Sequence, residues 1–287
     1  MYEIKSKKEL NPTVIMMNVY APYVARAAKA GQFIILRVDE AGERIPLTIA
    51  GVDTRAGTVR IIFQIAGATT LKLSKLCEGD SVCDFAGPLG NPSELDGVKD
   101  ALVIGGGVGC AIALPIAEEL SALGARVTSI IGFRSSELLI LEDEFRAASD
   151  ELVIVTDDGS YGERGNVCVP LRRMLESGRT FDKIIVIGPP IMMKFVAEAA
   201  RPYGIPCVAS MNSVMIDGTG MCGGCRLTLL RDGKRITRFA CVDGPEFNAY
   251  EIDFDEAMLR GSAYRDFERH AYEAACNLFA KENGDGK

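Results

Sequence analysis

The strongest constraint on the fold is an alternation of apolar strand-like runs and helical patterns that begins near Asp100. Five short apolar runs alternate with four helical patterns up to about residue 210. Strands that alternate with helices form βαβ units, and these units build a parallel sheet covered by helices on both faces. The sequence therefore predicts an α/β nucleotide-binding domain over residues 98–210.

The first 97 residues have a different pattern. Short runs rich in β-branched residues are separated there by turn residues, and only one helix is expected, near residues 70–76. Short strands at this spacing are typical of an antiparallel barrel or sandwich. We therefore expect an N-terminal antiparallel β-barrel over residues 1–97.

The periodicity stops after Ser210. Residues 211–255 hold a glycine-rich cysteine segment and a hairpin that should turn at Asp232-Gly233. A final helix is expected from Asp255 to about residue 282, within a C-terminal segment 256–287. Its apolar positions should serve packing, and its histidine should be solvated or packed rather than a ligand; these residues are Leu259, Phe267, Tyr272, Leu278 and His270.

Charge and hydropathy exclude several classes of partner. The 287 residues carry 32 Lys and Arg against 39 Asp and Glu, for a net charge of −7, which argues against nucleic acid and polybasic membrane contacts. The apolar stretch 101–117 contains four glycines and Pro115, and it is shorter than the ~20 residues that a membrane span needs. The charged N-terminus lacks the pattern of a secretion signal. We therefore expect a cytoplasmic protein.

Three of the nine cysteines form the most specific motif of the chain. Cys222 and Cys225 are separated by two residues in DGTGMCGGC, and Cys241 follows sixteen residues after Cys225. Two thiolates on one tight glycine-rich loop can bind a single metal centre. The other six cysteines are scattered singly, and their expected role is packing.

Three kinds of site compete for this motif. A structural zinc site needs four ligands, whereas the segment supplies three cysteines. A thioredoxin-like dithiol would open a helix after a strand, whereas this loop leads into a hairpin. A [2Fe–2S] cluster is favoured, with Asp217 at the position where plant-type spacing has a cysteine. The alternative for Asp217 is an ordinary Asp-Gly turn, with Cys207 as the substitute ligand.

Glycine-rich loops after the apolar strands suggest a dinucleotide site. GGGVG, which includes Gly106 and Gly107, follows a strand and opens a helix, although Cys110 replaces the third glycine of the usual fingerprint. TDDGSYG and GPPIMM follow two further strands, and such loops line the ligand crevice of an open sheet. Asp157 and Asp158 would accept hydrogen bonds from a ribose and repel a 2′-phosphate, which favours NAD(H) over NADP(H). The alternative is that one of them only caps a turn.

The barrel segment contains two candidate phosphate-binding groups. Arg44 stands two residues before Pro46, and AGATT precedes the expected short helix. An arginine fork and a helix start both suit a dinucleotide pyrophosphate. The alternative for Arg44 is a surface charge at the start of a strand.

Taken in order, the motifs RxPLT, GATT, AGPLG, GGGVG, TDDGS, GPPxMM and DGTGMCGGC resemble the ferredoxin–NADP reductase superfamily. Within it, the chain resembles electron-transfer flavoprotein subunits that combine an FAD barrel, a nicotinamide domain and a C-terminal [2Fe–2S] module. Two groups are similar: the small subunit of NADH-dependent reduced ferredoxin:NADP⁺ oxidoreductase, or sulfide dehydrogenase, and the electron-transfer subunit of dihydroorotate dehydrogenase B. An aspartate at the first ligand position is a feature of the first group.

The resemblance implies a site residue by residue. FAD would lie along Arg44, Pro46, Leu47 and Thr48, with its pyrophosphate near Gly67, Thr69 and Thr70. NAD(H) would be bordered by Gly106, Gly107, Asp157, Asp158, Gly188, Pro189 and Met192. The cluster would be held by Asp217, Cys222, Cys225 and Cys241.

The resemblance also implies an activity. NAD(H) exchanges hydride with FAD, which can exchange single electrons through the cluster, so no catalytic side chain is required. The partner would be a larger flavin and iron–sulfur subunit, with ferredoxin served indirectly and FAD as a possible bifurcating centre. The alternatives are the electron-transfer subunit of a dihydroorotate dehydrogenase or sulfide dehydrogenase complex, and a non-enzymatic NAD-responsive zinc module.

Overall fold

The first seven strands form one antiparallel sheet. The computed structural model describes the backbone of residues 1–284 and the side chains of residues 1–276. The strands of this sheet are β1 (Tyr2–Asn11), β2 (Val14–Tyr20), β3 (Phe33–Arg37), β4 (Arg44–Asp53), β5 (Thr58–Gln64), β6 (Ser81–Val82) and β7 (Asp84–Leu89). Their order is β6-β1-β2-β5-β4-β3-β7, and alternate apolar side chains pack into one interior cluster. The predicted antiparallel barrel is confirmed.

Two helices lie in the barrel segment, α1 (Pro22–Ala27) and α2 (Ala68–Lys75). The prediction of a single helix there is wrong, because α1 was missed. α1 has only six residues and buries Val24 and Ala25. A segment this short spans less than two helical turns, so it has no apolar period to detect. Pro22 at its first turn was the available signal, since proline is tolerated there.

The second sheet is built from strands that alternate with helices, as predicted. Its elements are β8 (Asp100–Gly106), α3 (Cys110–Ala122), β9 (Arg126–Phe133), α4 (Glu142–Ala148), β10 (Glu151–Thr156), β11 (Glu163–Arg164), α5 (Cys168–Glu176), β12 (Lys183–Ile187), α6 (Pro190–Ala200) and β13 (Cys207–Ser210). The order β11-β10-β9-β8-β12-β13 is parallel throughout. The strand order reverses between β8 and β12, where open α/β sheets bind ligands.

The two faces of this sheet bury different helices. Along β8, Ala101 and Val103 pack with α3 and α4, whereas Leu102 and Ile104 pack with α5 and α6. Adjacent side chains of a strand point to opposite faces, so a strand buried on both faces reads as a continuous apolar run. This explains why the strands of this segment lack a polar alternation.

The third segment contributes a hairpin and one further strand. The hairpin consists of β14 (Arg226–Arg231) and β15 (Lys234–Phe239), and it turns at Asp232 (φ 51°) and Gly233 (φ 72°). Two successive positive φ values are those of a type I′ turn, so the predicted Asp-Gly turn is confirmed. β16 (Glu246–Asn248) adds antiparallel to β13. Since β16 ties this segment into the second sheet, the boundaries of independent domains at about residues 97, 210 and 255 stay predictions.

The C-terminal segment forms two helices, not one. α7 (Phe254–Ser262) is capped by Asp253, which accepts a hydrogen bond from Glu256 N, and α8 (Arg265–Gly284) follows a break at Ala263-Tyr264. The predicted packing role is wrong for Leu259 and Phe267, which are 72% and 70% exposed. An apolar period predicts that one face of a helix is apolar, but it does not show that another part of the chain packs against that face.

The remaining predictions for the C-terminal segment have different outcomes. His270 is exposed, and Tyr272 is half-buried. The predicted packing of Leu278 lies outside the side chains that the structure describes. Among the described residues, every helix is too short or too polar to cross a lipid bilayer.

Candidate functional site

A cavity of about 900 Å³ lies where the barrel meets the second sheet. Its walls include β3 and β4 of the barrel, and the loops that follow β8, β10 and β12. These loops flank the point where the strand order reverses. The volume is within the range of small-molecule and cofactor sites.

Many of the residues predicted from sequence line this cavity. They are Pro46, Thr48, Gly106, Gly107, Asp157, Gly188, Pro189 and Met192. Six others are not among the lining residues, namely Arg44, Leu47, Gly67, Thr69, Thr70 and Asp158. Their roles in binding stay predictions, and their positions are described next.

Strand β4 divides its side chains between the cavity and the barrel. Pro46 and Thr48 line the cavity, whereas Leu47 between them packs against the barrel interior. This follows from the two-residue period of a strand. Leu47 therefore supports the wall rather than presenting itself to a ligand.

The predicted pyrophosphate group gathers at the start of α2. Thr70 Oγ1 accepts a hydrogen bond from Gly67 N at 3.0 Å. Thr69 Oγ1 donates to Glu43 Oε2 at 3.2 Å, which brings the beginning of β4 beside this helix. Arg44 Nη2 lies 3.7 Å from Asp84 Oδ2, and its side chain is half exposed. Gly67, Thr69 and Thr70 are thus together outside the cavity, whereas the contact shown for Arg44 is with Asp84 of β7.

Glycines bring the ends of β8 and β12 together. A Cβ on Gly106 would lie 2.4 Å from Met192 Sδ, and one on Gly188 would lie 2.5 Å from Met192 Cε. Both positions therefore exclude a side chain while Met192 packs between them. Gly107 differs, because it has φ +55° and faces open space. It opens a short 3₁₀ turn that runs into α3, whose free backbone N–H groups suit a phosphate.

The two adjacent aspartates do different things. Asp158 Oδ1 accepts hydrogen bonds from Ser160 N and Ser160 Oγ, at 2.9 and 2.7 Å. The Ser160 hydroxyl holds the pKa of this carboxyl below its usual range. Asp157 instead lines the cavity. The turn-capping alternative therefore describes Asp158, and Asp157 is the carboxylate available to a ligand.

The structure adds three ionisable side chains that sequence reasoning missed. Arg134, Cys168 and Arg172 all line the cavity. Arg134 directly follows β9, and this position at the carboxyl end of a strand was a usable signal. Cys168 and Arg172 lie one helical turn apart on α5, for which no motif exists. Burial raises the pKa of the Cys168 thiol, so this group stays neutral.

Residues 211–255, which we call the cluster segment, contain the predicted ligands. Within this segment, Cys225 and Cys241 form a buried pair. Their Sγ atoms lie 3.2 Å apart, and the residues are 1% and 2% exposed. Burial and the neighbouring Cys225 thiol raise the pKa of Cys241 to about 12. Two thiols in contact in an apolar core disfavour the thiolate form, whereas a bound cation stabilises it. The pair therefore fits a metal centre.

Asp217 and Cys222 form a second, exposed pair. Asp217 Oδ2 accepts a hydrogen bond from Cys222 N at 3.1 Å, and its Oδ1 accepts one from Thr219 N at 2.9 Å. These N–H groups, that of Thr219 foremost, lower the pKa of Asp217. The carboxylate is thus ionised and holds a turn. A carboxylate has about four lone-pair sites, so the turn leaves capacity for a metal and both interpretations stand.

The donor set fits a two-iron cluster better than one zinc ion. Among the residues with described side chains, His, Cys, Asp and Glu form no group of three that could hold a single metal ion. A structural zinc site would need four such ligands around one centre. In a [2Fe–2S] cluster the four protein ligands are shared between two irons, which matches one buried and one exposed pair.

The substitute ligand and the dithiol alternative have weaker geometric support. Cys207 lies within β13 in register with Ile184, and burial raises its pKa to about 12. This is a packing position in the second sheet. Cys225 contacts Cys241 rather than Cys222, so the buried thiol of the CxxC motif has its partner elsewhere.

Apolar side chains surround the exposed pair. Met221, between Gly220 and Cys222, is 88% exposed, and Val214, Ile216 and Val242 are about half exposed. A Cβ on Gly220 would lie 3.1 Å from Val242, so the loop and the segment after Cys241 are adjacent. A patch of apolar residues around a polar loop is typical of a protein interaction site.

Comparisons with known proteins agree with this geometry. A family model, the iron–sulfur cluster binding domain of dihydroorotate dehydrogenase B, matches residues 212–253. A Thermotoga maritima protein named dihydroorotate dehydrogenase B (NAD(+)), electron transfer subunit homolog, is 44% identical over 94% of each chain. The corresponding electron transfer subunit of Streptococcus pneumoniae is 32% identical over 85% of this chain and 94% of the relative.

A solved structure is similar over nearly the whole chain. It comes from work on flavin-based electron bifurcation by the NADH-dependent reduced ferredoxin-NADP oxidoreductase. Its TM-score is 0.88 at 41% identity, with 96% of this chain and 97% of that chain covered. The resemblance stated from the motifs is therefore confirmed.

Proposed function

The chain belongs to the family of dihydroorotate dehydrogenase B electron-transfer subunits, and from this premise we propose that it exchanges hydride with NAD(H) and passes single electrons to a partner subunit. The observation that supports this proposal most directly is the position of the cavity. Barrel residues and nucleotide-loop residues line one space, and the buried cysteine pair belongs to the same apolar cluster as the β3 wall of that space.

FAD, NAD(H) and a [2Fe–2S] cluster, when bound, supply hydride exchange, conversion between two-electron and one-electron steps, and one-electron exchange. Pro46 and Thr48 would hold FAD in the cavity, and Gly67, Thr69 and Thr70 would meet its pyrophosphate at the start of α2. The role of the protein is then to place the groups and exclude water.

The cavity residues suit this passive role. The ionisable side chains that line it are Arg134, Asp157, Cys168 and Arg172. The Cys168 thiol is kept neutral by burial, and none of the four is hydrogen-bonded to another in the described side chains. No acid–base pair is assembled, in agreement with hydride exchange that needs no proton transfer from the protein.

Asp157 supports NAD(H) as the coenzyme. Its carboxylate lines the cavity beyond β10, where it can accept hydrogen bonds from a ribose and repel an added phosphate. Arg134 and Arg172 line the same cavity and offer cationic donors to the coenzyme phosphates.

The partner would dock over the exposed cluster ligands. Met221, Ile216 and Val242 form the apolar patch beside Asp217 and Cys222. An electron acceptor must approach a cluster closely, so the exposed pair marks the side that faces the partner. We propose a larger subunit with its own flavin and iron–sulfur clusters, in a cytoplasmic, electron-bifurcating NADH-dependent ferredoxin:NADP⁺ oxidoreductase.

A second candidate is the electron-transfer subunit of a dihydroorotate dehydrogenase. The family match over residues 212–253 favours it, whereas Asp217 in place of a cysteine favours the first candidate. Isolation of the native complex under anaerobic conditions separates them. A partner that binds NADP and [4Fe–4S] clusters supports the first candidate, and one that binds orotate supports the second.

The cofactors themselves test the common part of the proposal. Purified chain should contain FAD, iron and acid-labile sulfide, and NADH should bleach its flavin absorbance faster than NADPH does. The variant Cys77→Ser, at an exposed cysteine outside the cluster segment, should keep the same content of iron and acid-labile sulfide as wild type. A colourless, zinc-containing protein would instead support a non-enzymatic module and refute the proposal.

A further inference from the structure

The cluster segment touches the barrel along a narrow contact that we call the seam. On the barrel side it consists of Ile35, Leu89 and Asn91, and on the cluster side of Gly218, Val242 and Gly244. The cluster-side residues flank Asp217 and Cys241 in the sequence. The seam therefore joins both ends of the predicted ligand set to the barrel.

At Gly218 the backbone of the cluster segment lies close to side chains of the barrel. It has φ +74°, and a Cβ at this position would lie 2.8 Å from Leu89 Cδ1 and 2.9 Å from Ile35 Cγ1. Real Cβ atoms do not approach heavy atoms so closely, so a side chain here would force Leu89 and Ile35 to repack or the loop to move away from them. The backbone beside Asp217 thus packs directly on two apolar side chains.

Asn91 fastens the other end of the segment. Its backbone N donates to Gly244 O at 2.7 Å, and its Nδ2 donates to Val242 O at 3.2 Å. These carbonyls belong to the turn that follows Cys241. The chain after β7 therefore holds this turn by two hydrogen bonds, while Gly218 packs on the neighbouring residue Leu89.

The barrel wall behind the seam is also the wall of the cavity. Ile35 pairs with Pro46, and Phe33 pairs with Thr48, across the β3–β4 ladder. Phe33, Pro46 and Thr48 line the cavity. Ile35 and Phe33 belong to the same buried cluster as Cys225 and Cys241. The segment that holds the predicted ligands also reaches the cavity directly, because Met215 and Pro245 line it.

We propose that Gly218 is a positioning residue. It sets the separation between the cluster loop, residues 217–225, and the barrel side of the cavity, where Pro46 and Thr48 would hold FAD. This inference rests on the proposed function, since it concerns the distance between the two redox sites. The missing Cβ lets the loop rest on Ile35 and Leu89, and Asn91 fixes its other end. Electron transfer slows as the donor and the acceptor move apart, so a displaced cluster loop should receive electrons more slowly.

The test compares two glycines of the same conformation. Gly218→Ala adds a methyl group at the seam, whereas Gly233→Ala adds one at φ +72° in open space. Both variants place a side chain at nearly the same positive φ. In holoprotein mixed anaerobically with NADH, Gly218→Ala should slow the step from reduced flavin to the cluster severalfold, while flavin bleaching keeps its wild-type rate. Gly233→Ala should change neither rate.

Two readouts other than activity accompany these rates. Iron content and the EPR spectrum and potential of the cluster should stay at wild-type values in Gly218→Ala, because the ligands themselves are intact. A wild-type rate of electron arrival in Gly218→Ala with full iron content would overturn the inference. Absence of iron from the wild-type chain would instead overturn the proposed function.

A second pair of variants decides the matter if Gly218→Ala loses its iron. Leu89→Ala and Asn91→Ala alter the barrel side of the seam and leave the cluster segment unchanged in sequence. Each should slow electron arrival. Leu89→Ala should also partly rescue Gly218→Ala, because the added methyl occupies the vacated space, which gives a non-additive double-mutant cycle. Wild-type rates in both single variants would overturn the inference.

Discussion

The cavity and the cluster loop bind their expected cofactors by opposite means. The cavity is formed between two sheets, and glycines and apolar side chains line most of it, together with polar and ionisable side chains that form no acid–base pair with one another. The cluster loop is a short local segment whose donors divide into a buried pair and an exposed pair. Shape therefore governs the first site and side-chain chemistry the second. Single substitutions in the cavity should therefore change binding and rates by degrees, whereas substitution of a cluster ligand should abolish binding of the cluster.

The largest expected effect is the loss of a buried ligand. Cys225→Ser and Cys241→Ser should each abolish binding of iron and acid-labile sulfide, because soft thiolate ligands are required there. FAD content should persist, since the residues proposed to hold FAD lie in the barrel and along the cavity. Iron, sulfide and flavin analyses of the purified variants measure this. Cys77→Ser is the control, and full iron in either buried-pair variant would refute the contrast between the regions.

A graded effect is expected at the cavity carboxylate. Asp157→Ser removes the charge that would repel a 2′-phosphate, and it should shift the ratio of kcat/KM for NADH over NADPH by about tenfold, equivalent to about 1.4 kcal/mol. Flavin reduction rates with the two coenzymes measure it. Asp158→Ser alters the neighbouring turn residue and should leave the ratio unchanged. An unchanged ratio in Asp157→Ser would contradict the assignment of this carboxylate.

Much of the structure of both regions can be predicted from short stretches of sequence. The type I′ turn at Asp232-Gly233 and the glycine-rich loop with Cys222 and Cys225 are short-range patterns, so they are readable without a structure. The second sheet is likewise predictable, because each of its strands is buried on both faces.

The cavity is less predictable, because its walls come from distant parts of the chain. Arg134, Cys168 and Arg172 become neighbours of Pro46 only when the barrel meets the second sheet. The contact of Gly218 with Ile35 and Leu89 joins segments more than 120 residues apart, and periodicity carries no information on such pairs. Two errors have local causes. The helix α1 was missed because it is too short to show an apolar period, and the break after α7 was missed because the sequence there gave no helix-end signal that we used.

The exposed pair offers a smaller test within the cluster loop. Asp217→Cys replaces a hard oxygen donor by a soft thiolate, and it should change the reduction potential of the cluster without removing iron. The substitution also removes acceptors of the Thr219 and Cys222 N–H groups, so Asp217→Asn serves as the control for the turn. Redox titration followed by EPR measures the potential. Identical potentials in wild type and Asp217→Cys would assign the fourth ligand elsewhere.

The smallest expected effect concerns the half-buried carboxyl of Glu246, near the seam. Glu246 accepts a hydrogen bond from Ser93 Oγ, with Lys183 and Glu94 as the charged groups nearby, and burial raises its pKa. The proton is bound more tightly in the folded chain, so the stabilisation is present below the ordinary Glu pKa of about 4.3 and is lost as the pH rises through the raised value. Glu246→Gln should thus be more stable than wild type at pH 8.

Denaturant unfolding at pH 4.5 and pH 8 measures this difference. The advantage of Glu246→Gln should shrink toward the lower pH, because wild type is then protonated as well. Glu137→Gln, at an exposed position on the surface, is the control and should show no pH-dependent difference. An advantage of Glu246→Gln that grows at low pH would have the wrong sign for a raised pKa.

The most direct test of the central claim is an anaerobic NADH titration of the purified chain, followed by absorbance and EPR. The claim is that a hydride-accepting flavin and a one-electron cluster share this polypeptide. We expect uptake of about three electrons per chain, two on FAD and one on the cluster, together with the EPR signal of a reduced [2Fe–2S] centre. Uptake of only two electrons with no such signal, in protein of full iron content, would contradict the claim.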